Sequence, residues 1–117
     1  MSFANAVALV TLVTSRAGVA VATGMVAADG TNGNKFINSG RECLHVKNVG
    51  GSPITVTVVT PGQVDGMDIA DLTVSVPATT GDVLIGPFTK TFEAQDNWIL
   101  ATFSVVTSVT VGAIRLP

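Results

Sequence analysis

Tyrosine is absent from this chain, and histidine, cysteine and tryptophan each occur once. Each shortage excludes something. Cys43 alone cannot form an internal disulfide, so the bridged frameworks of small secreted scaffolds are ruled out and folding in a reducing cytosol is expected. With His45 as the sole imidazole, any serine or cysteine mechanism that needs a histidine base must use it. A zinc centre built from four cysteine and histidine ligands lacks its donors. Trp98 without a single tyrosine is too little aromatic surface for a platform that stacks sugars or single-stranded bases.

Charge is scarce as well. Charged residues make up 12% of the chain, about half the usual share of roughly 25%. Six Lys and Arg residues, scattered and outnumbered by eight acidic ones, form no basic stripe that would release counterions from a phosphate backbone, so nucleic acid is not an expected partner. A net charge of −2 gives little mutual repulsion, which favours assembly.

The N-terminal run from residue 3 to residue 30 has Arg16 as its only charge before Asp29. No Lys or Arg precedes it, so the charged start of a signal peptide is missing. Arg16 stands near its middle, where a charge costs roughly 2.5–3.5 kcal/mol in a membrane. Extended or strand structure is therefore expected there, and no membrane partner.

What the sequence does contain is a succession of β-forming runs bounded by Gly, Pro, Asn or Asp. Residues 6–14 and 18–26 are the first two. The second alternates weakly, Val19 and Val21 against Ala20 and Ala22. Residues 28–34, Ala-Asp-Gly-Thr-Asn-Gly-Asn, bring Asp-Gly and Asn-Gly together and read as a turn, followed by a loop as far as residues 38–42. Then Leu44 and Val46 point one way and Cys43, His45 and Lys47 the other, the pattern of a half-buried strand. After Asn-Val-Gly-Gly-Ser-Pro, a hairpin or a Greek-key corner, Ile54, Val56 and Val58 alternate with Thr55 and Thr57 until Pro61 ends the run. The threonines mark the solvent side of a sheet. Residues 65–71 read as an acidic connection or edge, 72–76 and 83–85 as short strands, and 89–97 as the one candidate helical turn. Residues 98–105, with Ile99, Ala101, Phe103 and Val105 on one face, and 109–116 complete the set.

At 117 residues the chain is one domain, able to bury roughly two thirds of its unfolded surface. About eight strands without alternating helices predict an all-β fold: an antiparallel β-sandwich, with a jelly roll favoured and an immunoglobulin-like sandwich as the rival. An N-terminal arm over residues 1–14, available to a partner, would precede a sandwich domain over 15–117.

No reactive constellation emerges from this pattern. Cys43 and His45 share a strand face, but side chains at i and i+2 stand about 7 Å apart, beyond a direct hydrogen bond. No Gly-x-Ser-x-Gly elbow nominates a serine. Asp65, Asp68, Asp71 and Asp82 lack the spacing of a calcium loop, and residues 30–35, Gly-Thr-Asn-Gly-Asn-Lys, lack that of a phosphate loop. No catalytic, metal or cofactor-binding residue is nominated, and the chain is not expected to be an enzyme.

Residues 15–22 (SRAGVAVA), 32–48 (NGNKFINSGRECLHVKN), 52–88 (SPITVTVVTPGQVDGMDIADLTVSVPATTGDVLIGPF) and 103–116 (FSVVTSVTVGAIRL) carry a resemblance. They are similar to the small jelly-roll capsid decoration, or cement, proteins of tailed bacteriophages. The resemblance implies a structural virion protein made in the host cytoplasm, binding the major capsid protein on the capsid exterior as a homo-oligomer, a trimer, with no catalytic residues. On that expectation the apolar side chains of the arm, Phe3, Val7, Leu9, Val10 and Leu12, are the candidate partner contacts. Another virion subunit (tail, connector or head fibre) and a carbohydrate- or receptor-binding sandwich module are the alternatives.

Overall fold

The computed structural model describes residues 6–20, 24–61, 63–93 and 97–115. Among them, twelve strands form: β1 (Val7–Ala8), β2 (Thr11–Val13), β3 (Val26–Ala27), β4 (Asn34–Ile37), β5 (Glu42–Asn48), β6 (Ile54–Val58), β7 (Gln63–Val64), β8 (Met67–Asp68), β9 (Leu72–Val76), β10 (Gly81–Ile85), β11 (Trp98–Phe103) and β12 (Val109–Arg115). The expected helical turn is a single 3-10 turn, Lys90–Phe92. The fold is all-β, as the alternation of apolar and polar residues requires.

Two five-stranded sheets carry the structure. The first runs β1-β4-β11-β6-β9; the second runs β10-β5-β12-β2, with β3 also on β12, and β7 and β8 form a separate small hairpin. Leaving aside β1, β2 and that hairpin, the other eight strands pair as a nested set, first with last: β3 with β12, β4 with β11, β5 with β10 and β6 with β9, every pair antiparallel. The further pairs β12 with β5 and β11 with β6 arise between neighbours in this nest. Because β5 and β6 lie in different sheets, the Asn-Val-Gly-Gly-Ser-Pro segment is a crossing between layers and not a hairpin.

Three features depart from the expectation. The sheets are mixed, not purely antiparallel, because β1 runs parallel to β4 and β2 parallel to β12. Residues 34–37, expected to be the end of a turn and the loop after it, are the strand β4, with Phe36 fully buried. The run 6–14 is not one strand. Leu9 turns into the core while Val10 is 80% exposed, and the chain passes from the edge of the first sheet to the edge of the second. Its described part thus does not extend away as an arm. Backbone bonds from Val7 N to Gly33 O, Leu9 N to Lys35 O and Thr14 N to Arg115 O fasten it down, covering edges of β4 and β12 that would otherwise invite pairing. Phe3 and residues 21–23 lie outside the described residues.

The core draws on both sheets: Phe36, Ile54, Val56, Val58, Val76, Ile99 and Ala101 from the first, Leu44, Val46, Ile85, Val109, Val111 and Ala113 from the second. Each fully buried aliphatic or aromatic side chain of this kind contributes roughly 1.5–3 kcal/mol. Phe88 closes one end, tilted against Phe36 at 5.7 Å and edge-on to Phe92 at 5.4 Å.

With so few charges, much of the buried polar bonding falls to asparagine. Asn34 accepts from Asp29 N and donates to Val7 O, tying β1 to the turn before β4. That turn is held by Asp29 Oδ1, which accepts from Thr31 N and Asn32 N. It closes on Gly33 at φ +76°, where a Cβ would come within 2.6 Å of Ala101 O. Asn48 donates to Ser52 O and Pro77 O and accepts from Gly50 N, locking the β5–β6 and β9–β10 crossings together. A buried amide with all its bonds made fixes a corner in a way that an apolar residue cannot.

Candidate partner-binding surface

Of the residues the sequence offers for chemistry, His45 and Asp82 are brought together. Cys43 and His45 share the outward face of β5, as their spacing predicts, but His45 Nε2 meets the Asp82 carboxylate on β10 and Cys43 stays a free, half-buried thiol. His45 Nδ1 is buried without a hydrogen-bond partner among the described residues. Asp65 stands in the tight turn of the β7–β8 hairpin, which β8 continues through Asp68, while Asp71 Oδ1 accepts from Thr60 N. Among the described residues no three His, Cys, Asp or Glu side chains gather as metal ligands. Trp98 is half-buried, with the Lys35 ammonium 4.7 Å from its ring centroid, a cation–π contact.

One end of the molecule carries a polar cleft of about 460 Å³ between the β4–β5 turn and the segment before β11, lined by Asn38, Ser39, Thr89, Lys90, Glu93 and Asn97 with Phe88 in its wall. Asn38 Nδ2 donates to Phe88 O and Glu93 Oε2, so the cleft walls are tied to each other. Beside it, the buried Glu42 carboxylate accepts from Ser39 N at 2.6 Å, from Ser39 Oγ and from Arg41 N. Burial pushes its pKa up, but the bonds from Ser39 and from the backbone of residues 41 and 42 together outweigh it and hold the carboxyl below its ordinary value.

The outward face of the second sheet holds an apolar groove of about 400 Å³ lined by Leu12, Val19, Cys43, Leu84 and Ile114, with Thr14 and Arg41 among its walls. Of the five candidate contacts on the arm, Val7 and Val10 are exposed, Leu12 lines this groove and Leu9 is 7% exposed inside the core. Leu9 is therefore a packing residue of the isolated chain. Leu9 and Val10 lie in the connection between β1 and β2, where the composition of the run does not reveal which side chain turns inward.

The outward face of the first sheet is different in kind. Thr102 stands opposite Thr57, and Thr57 opposite Thr73; one step along, Thr55 stands opposite Ser75. Ser104 N donates to Thr55 O and Ser104 Oγ accepts from Thr55 N, which brings Ser104 into the second row. Two rows of hydroxyls thus cross β11, β6 and β9 at the strand spacing of about 4.8 Å. The threonines of residues 54–58 are readable as a solvent face, but only the register shows that three strands align them.

The chain matches none of the family models, curated proteins or solved structures with which it was compared. Its surface must be read on its own terms. Among the described residues no helix is long and apolar enough to cross a membrane.

Proposed function

We propose that the chain is a structural virion protein: a jelly-roll module that binds the outer surface of a phage capsid as a homo-oligomer and stabilises it. The nested pairing of eight strands supports the jelly-roll reading, since that fold is a long antiparallel hairpin rolled into two sheets with Greek-key connections. The observation that carries the functional reading is the surface itself. Hydroxyl rows cover the outward face of the first sheet, Leu12, Leu84 and Ile114 line the outward groove of the second, and Val10, Ile37, Val49 and Met67 are exposed. Such a surface makes contacts over area and shape, the currency of a shell-binding protein, with the major capsid protein as partner. Phe3, Val7, Val10 and Leu12 are its proposed contacts on the N-terminal segment.

The reading is tested on particles of the phage whose genome encodes the chain. Mass spectrometry of purified virions should find it at a copy number on the scale of the capsid protein, and heads stripped of it should break at lower temperature until the pure chain is added back. A copy number fitting a single ring at the tail would favour a connector or tail subunit instead.

The polar cleft lined by Asn38, Ser39, Thr89, Lys90, Glu93 and Asn97 favours a second reading, a carbohydrate- or receptor-binding module, because hydroxyl, amide and charged groups converge there. Glycan binding by the isolated chain, lost on Glu93→Ala and absent from intact-head binding, would support that reading over the first.

A further inference from the structure

Each sheet has two edges, and three of the four are short or charged. The first sheet begins at β1, two residues long; one side of the second is shared by β2 and β3, of three and two residues. The opposite edge of the second sheet, β10, carries the exposed Asp82. Short edges and edge charges are the means by which sheets avoid adding a further strand. β9 has neither. Leu72–Val76 reads Leu-Thr-Val-Ser-Val, five residues without charge, proline or glycine, paired with β6 on one side and with no strand on the other among the described residues.

β9 is also its own chemical complement. Antiparallel pairing of two copies about a two-fold axis at Val74 sets Thr73 opposite Ser75, Leu72 opposite Val76, and Val74 opposite its equivalent. Hydroxyl meets hydroxyl on the outward face and aliphatic meets aliphatic on the inward one, the pairs that favour strand association. Leu72 is exposed and Val74 half-buried at this edge, so both gain cover. The same operation on β10 would set Asp82 against Leu84, a mismatch.

We propose that the chain forms a two-fold homodimer by antiparallel pairing of β9 with β9. The two first sheets then join into one of ten strands, and the row Thr102, Thr57, Thr73 continues into Ser75 and Thr55 of the second copy. Closed two-fold symmetry is the commonest form of homo-oligomer, and a net charge of −2 per chain opposes it little. This pairing goes beyond the capsid reading and replaces the trimer that the resemblance implies; it is tested without a capsid, so its failure leaves that reading as it stands.

Cysteine cross-linking reads the register directly. In a Cys43→Ser background, Thr73→Cys and Ser75→Cys chains are mixed and oxidised. A disulfide-linked dimer is expected in the mixture, since directly opposed residues bring their Cβ atoms within about 4.5–5.5 Å, and much slower linkage in either variant alone. By light scattering, the mass of the unmodified chain should rise with concentration towards twice 11.9 kDa. Thr73→Lys with Ser75→Lys should hold it at one chain with an unchanged circular dichroism spectrum, while Thr55→Lys, on the interior strand β6, should leave the dimer in place. A chain that stays single at every concentration, a dimer indifferent to the two lysines, a mass of three copies, or equal cross-linking in mixed and unmixed samples would each overturn the pairing.

Discussion

His45 Nε2 meets the Asp82 carboxylate diagonally across the β5–β10 pair, where Leu84 stands directly opposite His45 and Lys47 opposite Asp82. The only imidazole of the chain is thereby engaged by an edge-strand carboxylate, on the same face as Cys43 but not with it. Asp82 is 55% exposed, so water and salt screen the pair. Asp82→Asn is expected to lower stability by about 0.2–1 kcal/mol, and by less at high ionic strength. Urea unfolding at low and high salt checks both statements.

Glu42 makes a stronger demand on pH. Its carboxyl is held below the ordinary glutamate value of 4.5, burial raising it and the bonds from Ser39 and from the backbone of residues 41 and 42 lowering it further. A folded-state pKa below the unfolded one gives stability that is fully present above the unfolded value and is lost as pH falls through the folded value. Asp29, bonded by Asn32 N and Thr31 N, shifts the same way. The thermal midpoint is thus expected to hold from neutrality down to about pH 5 and to fall steadily below it. Glu42→Gln, which leaves a donor facing donors, should cost about 1–3 kcal/mol at neutral pH and flatten that acid-side decline. A midpoint scan of both proteins from pH 7 to pH 3 reads the difference.

How much of this was legible in the sequence depends on how local each cause is. Ile54, Val56 and Val58 against Thr55 and Thr57 declare a strand and its two faces, and the structure buries the first three and turns the threonines outward. Leu72–Val76 keeps the bounds that its flanking Asp and Pro set. β4 is not legible in the sequence because Asn-Lys-Phe-Ile is short and opens on a turn-forming residue. It is a strand through its partner, as Phe36 pairs with Ile99, a contact that no local window of sequence contains. The N-terminal run was rightly β-prone, but which sheet receives each half is a property of the whole fold. The contact surface is set in the same way. Exposure of Val10 follows from the path of the chain between the two sheets, and the hydroxyl rows across β11, β6 and β9 follow from register.

Asn48 illustrates a residue whose type announces a turn while its role is burial. It is fully buried and makes three bonds, to Ser52 O, Pro77 O and Gly50 N, that join two crossings distant in sequence. Asn48→Ala removes all three bonds from a part-buried corner, leaving the Gly50 N–H and the Ser52 and Pro77 carbonyls without this partner, at a cost of about 1–3 kcal/mol in total. Asn48→Asp keeps the shape and the acceptor but removes the donor and adds a buried charge, so it should be no better than alanine. Denaturant midpoints rank the two, and hydrogen exchange should show faster opening at residues 49–53 and 77–80 in both.

The N-terminal segment gives the sharpest contrast, because two adjacent apolar residues have opposite fates. Leu9 sits in the core cluster at 7% exposure and its N–H bonds to Lys35 O; Val10 projects into solvent at 80%. If this segment were only a partner-binding arm, both side chains would be free in the isolated protein and neither would affect its stability. Stitched across both sheets as it is, Leu9→Ala should cost about 2–5 kcal/mol through lost burial and the cavity left behind, a large share of the 5–15 kcal/mol that holds a typical domain together. Val10→Ala should fall within about 0.5 kcal/mol of the parent. On the capsid reading the order reverses for binding: Val10→Asp should weaken attachment to stripped heads while the isolated chain unfolds as before. Chemical unfolding of the pure variants and their retention on pelleted heads separate the two roles, and equal stability of Leu9→Ala and the parent would show that the segment does not pack as described.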